Sequence, residues 1–300
     1  MIQLPSSLVS AEWLAANLDA PGLAVLDASH HLPAAGRDAA ADFAAGHIPG
    51  ARFLGLASLV DTASNVPAAL PTPDQLAARL ASLGVAPGAA IILYDDSAIR
   101  TSARAWFMLT AMGRENVAIL DGGLGKWRAG GHPLAVGVED GEAVPPAALA
   151  APKGVRTKAD MIANLGSRAE QVLDARSADR VYGSGIDPVH GGQNGRIPGA
   201  LNLPFTGVLN ADGTYKSPDD LSAAFEAAGI DLARPVTTTC GSGVTASVLM
   251  FAMHLIGKRD TALYDGSWSE WGADPATPKM QGPETLGPET LGPETLGPNA

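Results

Sequence analysis

The fold of this chain is decided by residues 235–250, which read PVTTTCGSGVTASVLM. The β-branched residues ahead of Cys240 predict a short strand, and the apolar run from Val244 predicts a helix. Gly241 and Gly243 predict a tight loop between them. Ligands collect at the carboxyl ends of parallel strands. We therefore expect Cys240, the only cysteine of the chain, to lie at a binding site.

Cys240 also has the surroundings of a nucleophile. Backbone N–H groups of such a loop and of the first helical turn favour an anion in front of them. A thiol held there should have a pKa below the free value of about 8.5, in the range ~3.5–7.5. A lone cysteine is more often a small buried hydrophobe. The two glycines and Ser242 that follow Cys240 favour a reactive thiolate instead.

Composition narrows the class of protein. The 300 residues suggest about two domains, and 46% apolar with 17% charged residues fits a compact chain. A net charge of −11 without a block of Lys and Arg makes nucleic acid and anionic membranes poor partners. A single cysteine excludes an intrachain disulfide and any multi-cysteine metal site.

The sequence indicates neither export nor a cofactor. The first residues lack the pattern of a signal peptide, and no apolar run of about 18 residues suggests a membrane span. We expect a cytoplasmic protein, in which a free thiol stays reduced. His30 and His31 lack carboxylate or cysteine partners at metal spacing, so we expect no metal and no cofactor.

The chain carries one unit twice. Capped helix starts at Ser10 and Thr157, buried strands, Ile-Pro-Gly-Ala turns and long apolar helices recur in the same order. This alternation predicts an α/β fold of two tandem domains, each a mainly parallel sheet flanked by helices. We expect a first domain without a catalytic cysteine, a linker, a catalytic domain and a low-complexity tail: residues 6–137, 138–152, 153–281 and 282–300. The repeats of the tail cannot bury a core, so we expect it to be disordered or outside the fold.

Two further motifs carry a resemblance to a known family. HIPGA at residues 47–51 and YDGSWSEW at residues 264–271 resemble the signatures of tandem rhodanese-type sulfurtransferases, and the likeness extends over residues 6–278. CGSGVT at residues 240–245 is similar to the loop of the members that use 3-mercaptopyruvate. The resemblance implies two rhodanese-like domains and a cysteine persulfide. Such a persulfide moves sulfane sulfur from 3-mercaptopyruvate, or from thiosulfate, to an external thiol, a thioredoxin-like acceptor or cyanide.

The candidate catalytic and sulfur-binding residues lie in one loop and the first turn of the next helix: Cys240, Gly241, Ser242, Gly243, Val244 and Thr245. Cys240 supplies the nucleophile, and the backbone amides of the loop are expected to cradle the outer sulfur of the persulfide. Ser242 and Thr245 are expected to relay a proton or to hydrogen-bond the sulfur. Thr245 could equally serve only as a helix cap.

The carboxylate of the donor requires a cation, ideally a guanidinium. The resemblance implies two arginines after the second Asp-Ala strand. Arg180 fits the first position, but Val189 stands at the second, so we expect Arg196 to compensate. Arg176 is a further candidate, although a surface ion pair would explain it as well.

The first copy of the unit lacks a thiol. Counting back from the ends of the matching helices sets Asp96 opposite Cys240, so this copy cannot carry a persulfide. We expect it to be a structural half that covers the active cleft. The acidic residue that the family carries after the first Ile-Pro-Gly-Ala turn is also absent, since Gly55 and Ala57 occupy that region.

Two other functions compete with sulfur transfer. A phosphatase of this fold needs an arginine at the end of its cysteine loop, at a position that Ala246 occupies here. The other is a non-catalytic rhodanese module that binds a partner or senses oxidants through Cys240. The intact cysteine and its glycine loop argue against an inactive module.

Overall fold

The computed structural model describes residues 2–138, 141–190 and 192–282. Within these ranges, ten strands form two five-stranded parallel sheets, one in each half of the chain. The strands of the first half are β1 Leu8–Val9, β2 Leu23–Asp27, β3 Arg52–Phe53, β4 Ala90–Tyr94 and β5 Val117–Leu120. Those of the second half are β6 Val155–Arg156, β7 Gln171–Asp174, β8 Leu201–Asn202, β9 Val236–Thr239 and β10 Thr261–Tyr264.

Helices connect the strands in both halves. The first half has α1 Ala11–Asn17, α2 Ala39–Ala45, α3 Pro73–Ser82, α4 Ser102–Ala111 and α5 Gly123–Ala129. The second has α6 Lys158–Ser167, α7 Ala178–Tyr182, α8 Pro218–Ala227, α9 Val244–Leu255 and α10 Ser267–Trp271. The strand orders are β1-β5-β4-β2-β3 and β6-β10-β9-β7-β8, which is one topology written twice. The predicted fold class, α/β with two tandem domains, is confirmed.

Local signals explain where the helices begin. The Ser10 hydroxyl accepts a hydrogen bond from the Trp13 amide at the start of α1. Thr157 and Asp160 form a capping box at the start of α6, in which each side chain accepts from the other residue's amide. Both caps satisfy amides that have no partner inside the helix. They are the caps that the sequence predicts.

The strand registers align the two copies residue by residue. Asp27 pairs with Tyr94 in the first sheet, and Asp174 pairs with Thr239 in the second. The residue after Tyr94 is Asp95, so Asp95 corresponds to Cys240, and the expectation of Asp96 is wrong by one residue. The error of one residue arises because the loop at residues 95–101 is three residues longer than the loop at residues 240–243, while α4 is two residues shorter than α9. The first copy still has a carboxylate where the second has a thiol.

The two domains share an apolar core. Helix α4 packs on α9, and the ring of Trp106 meets that of Phe251 edge to face at 4.8 Å. Buried residues from both sheets belong to one continuous apolar cluster. The loop that contains Cys240 precedes α9, so it lies beside this interface between the domains.

The connection between the domains lies along the first one. Residues 141–152 form no helix or strand in the described chain. The amides of Val144 and Ala150 donate to the carbonyls of Ala81 and Met112. The repeats of the predicted tail, from residue 283 onward, lie outside the described residues. In the part of the chain that is described, no helix combines the length and the apolar character needed to cross a bilayer.

Candidate active site

The loop of Cys240 is held by α10. The Cys240 amide donates to the Ser267 hydroxyl at 3.2 Å. The amides of Trp268 and Ser269 donate to the carbonyls of Cys240 and Gly241, at 2.9 and 2.8 Å. Ser267 itself has a left-handed φ of +49°, a strained conformation for a residue other than glycine. The backbone around the thiol is therefore fixed by the signature segment that follows β10.

The amides after Cys240 remain available. No hydrogen bond donated by the amides of Gly241, Ser242 or Gly243 is found among the described residues. Gly243 caps α9 with a φ of +76°, a conformation that favours glycine. Unpartnered amides at the start of a helix attract negative charge. The loop can thus stabilise an anionic sulfur attached to Cys240.

Cys240 is a free thiol at the floor of a cavity of about 150 Å³, and only 2% of the residue is exposed. The lining comes from both domains: Leu32, Ile99, Ala175, Arg176, Ser177, Arg180, Val189, His190, Phe205, Cys240, Gly241, Ser242, Val244 and Thr245. Leu32 and Ile99 belong to the first domain, in line with a structural half that covers the cleft. A second cleft of about 350 Å³, around Ser58 and Arg79, has no thiol in its lining.

The structure brings most of the predicted site residues together. Gly241, Ser242, Val244 and Thr245 line the cavity beside Cys240. Gly243 lies behind them. A Cβ atom added to Gly243 would come within 2.7 Å of Arg104 Nη1, so its lack of a side chain lets the first domain approach the loop.

Two of the predicted arginines lie at the cavity and are paired. Arg180 donates from Nε and Nη2 to Asp187 Oδ2, at 3.0 and 2.8 Å. Arg176 donates from Nη2 to Asp174 Oδ2 at 2.7 Å and lies 4.4 Å above the ring of Trp268. The alternative of a surface ion pair for Arg176 is wrong, because both partners are almost fully buried.

The surroundings of Arg176 and Asp187 favour the charged form of each side chain. Burial opposes the charge of Arg176, but Asp174, Asp187 and the Cys240 sulfur together raise its pKa above the ordinary value. Burial likewise opposes the charge of Asp187, and the hydrogen bond from Arg180 with those from two backbone amides still lowers its pKa. Two guanidinium groups therefore line the cavity beside the thiol, and each is paired with a carboxylate.

Arg196 does not line the cavity. It is completely buried, its guanidinium lies 4.8 Å above the ring of Tyr182, and Nη1 donates to the carbonyl of Gly282. The backbone of Arg196 pairs antiparallel with that of Met280, and its side chain packs on Tyr182 and Gly282 instead of lining the cavity. The expectation that Arg196 replaces the missing second arginine therefore does not fit its position.

His190 is a cavity residue that the sequence reasoning did not select. Its half-buried ring lies against Gly241, where an added Cβ atom would come within 1.8 Å of Nε2. Burial, with a smaller contribution from the charge of Arg180, lowers the pKa of His190. One feature of the sequence could have indicated His190: it follows Val189, the position at which the family resemblance implies a second substrate arginine.

Outside the cavity, His31 and His47 each have a partner in the first domain. Nε2 of His31 lies 3.1 Å from Asp42 Oδ2. His47 forms a 2.9 Å hydrogen bond between Nδ1 and the carbonyl of Phe43. No group of three or more His, Cys, Asp or Glu side chains in the described residues could hold a metal ion.

Known proteins resemble this chain in both sequence and fold. Residues 10–130 and 157–274 each match the rhodanese-like domain family. The 3-mercaptopyruvate sulfurtransferase of Mus musculus is 40% identical over 90% of this chain and 93% of its own length. The thiosulfate sulfurtransferase of Gallus gallus is 39% identical over 89% and 94%. The crystal structure of a 3-mercaptopyruvate sulfotransferase from Escherichia coli matches with a TM-score of 0.80 and 34% identity, over 88% of this chain and 99% of that one. This chain therefore belongs to the rhodanese-like domain family.

Proposed function

We infer that this chain is a sulfurtransferase that takes sulfane sulfur from 3-mercaptopyruvate onto Cys240 as a persulfide. The observation that supports this most is the free thiol on the floor of a cavity, followed by amides without acceptors in the described chain. The relatives named above are sulfurtransferases, and their similarity to this chain extends over nearly its whole length. Because loop and relatives agree, an enzyme explains the site better than a binding or sensing module.

The chemistry follows from the cavity. The Cys240 thiolate attacks the sulfur of the donor, and the carbon–sulfur bond breaks. The electron pair of that bond leaves with the carbon as the enolate of pyruvate. The new outer sulfur lies in front of the amides of Gly241, Ser242 and Gly243, which stabilise its charge. An acceptor thiol or cyanide then removes this sulfur and regenerates Cys240.

The donor's carboxylate would lie on the side of the cavity that Arg176 and Arg180 form. Arg180 lines the cavity, and its side chain is 15% exposed, so it can add a substrate carboxylate to its bond with Asp187. Arg176 is buried against Asp174 and acts through its charge rather than by direct contact. Thiosulfate remains the second candidate donor. Gly241 and Ser242 carry no cation for its sulfonate group, so we expect 3-mercaptopyruvate to react faster.

The acceptor must come from outside the chain, because no second cysteine is present to take the sulfur. We propose an external thiol, a thioredoxin-like protein or cyanide for this step, and a cytoplasmic location, where thiols stay reduced. We also propose the domain limits 6–137 and 153–281, joined by 138–152 and followed by 282–300. The two family matches at 10–130 and 157–274 support this division.

Steady-state kinetics test the proposal. The protein is given 3-mercaptopyruvate or thiosulfate, with cyanide as acceptor, and the release of thiocyanate is measured. We expect turnover with both donors and a higher kcat/KM with 3-mercaptopyruvate. Cys240→Ser should abolish it, because a hydroxyl cannot form a persulfide. Turnover that persists in Cys240→Ser, or phosphate-ester hydrolysis that depends on Cys240, would contradict the proposal.

A further inference from the structure

The reaction with 3-mercaptopyruvate requires a proton to move between two atoms. The donor begins with a hydrogen on sulfur and ends as pyruvate, with that hydrogen on carbon, while Cys240 changes from thiolate to persulfide anion. No proton enters or leaves in this balance. Thiosulfate differs, because sulfite departs with the electron pair of the broken sulfur–sulfur bond and needs no proton. A group that carries the proton therefore matters for one donor only.

Few groups in the cavity can hold a proton and release it near neutral pH. Arg176 and Arg180 are permanently charged. The hydroxyls of Ser242 and Thr245 can pass a proton along a hydrogen bond but do not keep it between two steps. Apart from the nucleophile itself, His190 is the residue lining the described cavity whose side-chain type ordinarily takes up and releases a proton in this range.

The geometry of His190 suits this task. Its ring packs on Gly241, the residue directly after the nucleophile. The backbone amide of His190 donates to Asp187 Oδ1 at 3.2 Å, so its loop is tied to the carboxylate that also holds Arg180. No hydrogen bond to either ring nitrogen of His190 occurs within the described ranges, which leaves the imidazole available to a substrate.

We propose that His190 is a further catalytic residue, the base and then the acid that carries the donor's proton from sulfur to carbon. This inference rests on the proposed function. The imidazole accepts the proton of the donor's S–H group as the Cys240 thiolate forms the new S–S bond. It then delivers that proton to the methylene carbon of the enolate and returns to its neutral form. Burial and the charge of Arg180 favour this neutral form, which is needed at the start.

The test is single-turnover loading of Cys240, followed by mass spectrometry of the quenched protein. The variant His190→Gln keeps a polar side chain of similar reach but cannot carry a proton. We expect loading from 3-mercaptopyruvate to slow by roughly 10²-fold or more. Loading from thiosulfate and alkylation of Cys240 by iodoacetamide should keep their wild-type rates, since neither needs the proton transfer. Ile186→Ala, a change of an exposed residue in the same loop, should leave all three rates unchanged.

Each other outcome has a definite meaning. Equal loading by His190→Gln and wild type would overturn the inference while the proposed function stands. Equal slowing with both donors and with iodoacetamide would also overturn it, because it would show damage to the loop. If thiosulfate does not load the wild type, alkylation serves as the reference alone. If 3-mercaptopyruvate does not load the wild type, the proposed function fails as well. His190→Ala with added imidazole should regain part of the lost rate, and no gain would count against proton transfer.

Discussion

At the scale of single residues, the cavity combines a nucleophile with a rigid cation. Arg180 is held by two hydrogen bonds to Asp187, whose other oxygen accepts from the amides of Val189 and His190. The guanidinium is therefore oriented before the donor arrives. Preorganisation of this kind lowers the entropy cost of binding.

Replacement of Arg180 should weaken the binding of a carboxylate donor. Hydrogen bonds to charged groups contribute about 1.5–3 kcal/mol, so we expect Arg180→Ala to raise KM for 3-mercaptopyruvate roughly ten- to hundredfold. The measurement is steady-state kinetics with cyanide as acceptor. Asp179→Asn, at an exposed neighbour in α7, is the matched control and should leave KM unchanged. A wild-type KM in Arg180→Ala would remove this residue from the carboxylate site.

Which residues reach the cavity could be predicted only in part. The Cys240 loop and Arg180 could be predicted, because local sequence specifies the loop between β9 and α9 and the helix after β7. Arg196 and His190 depend on distant contacts. The Arg196 side chain contacts Tyr182 and Gly282, and the segment 183–190 brings His190 against Gly241. Neither contact has a local signature in the sequence.

At the scale of elements, buried aspartates lie at the carboxyl ends of strands, such as Asp27 in β2 and Asp174 in β7. Asp27 at the end of β2 is 2% exposed and accepts a 2.8 Å hydrogen bond from the Ser29 amide. Burial raises the pKa of Asp27 to about 6, and hydrogen bonds only partly offset this effect. The folded protein therefore holds this proton more tightly than the unfolded chain does.

This shift makes stability depend on pH. The contribution of Asp27 is full below its unfolded pKa of about 3.9 and is lost as pH rises through about 6. Asp27→Asn removes this pH-dependent loss. The free energy of unfolding of the variant, relative to that of the wild type, should therefore increase between about pH 4 and about pH 7.5, by up to ~3 kcal/mol. Urea unfolding midpoints at the two pH values measure it, with exposed Asp19→Asn as control. An equal difference at both pH values would contradict this account.

Element order and helix starts were predictable, because caps, glycine stops and apolar runs are local signals. The residue opposite Cys240 was not. A count back from the ends of α4 and α9 is wrong by one residue, since the first loop is three residues longer and α4 is two residues shorter than α9. Only the pairing of Tyr94 with Asp27 and of Thr239 with Asp174 identifies Asp95 as the match.

At the scale of the whole molecule, the first domain supports the catalytic loop. Arg104 of α4 donates from Nη2 to Asp265 Oδ1 at 2.6 Å, and Asp265 Oδ2 accepts from the Leu70 amide. Nη1 of Arg104 lies beside Gly243. The side chains of Arg104 and Asp265 are 3% and 13% exposed, so this ion pair is a buried link between the domains.

Removal of one partner should destabilise the protein. Arg104→Met leaves the carboxylate of Asp265 buried without its cation, and we expect a loss of about 3 kcal/mol, near the lower end of measured cases. The double variant Arg104→Met with Asp265→Asn should regain part of that loss, because no unpaired charge remains. Urea unfolding of the wild type, both single variants and the double variant measures the coupling. Additive losses would show that the two side chains do not act as a pair.

The most direct test of the account is the mass of the intact protein before and after brief exposure to 3-mercaptopyruvate without an acceptor. We predict a gain of one sulfur atom, located on the Cys240 peptide, together with the release of one equivalent of pyruvate. Subsequent cyanide should return the protein to its original mass. Pyruvate release without sulfur on Cys240, or no change in mass, would contradict the claim that this thiol carries the transferred sulfur.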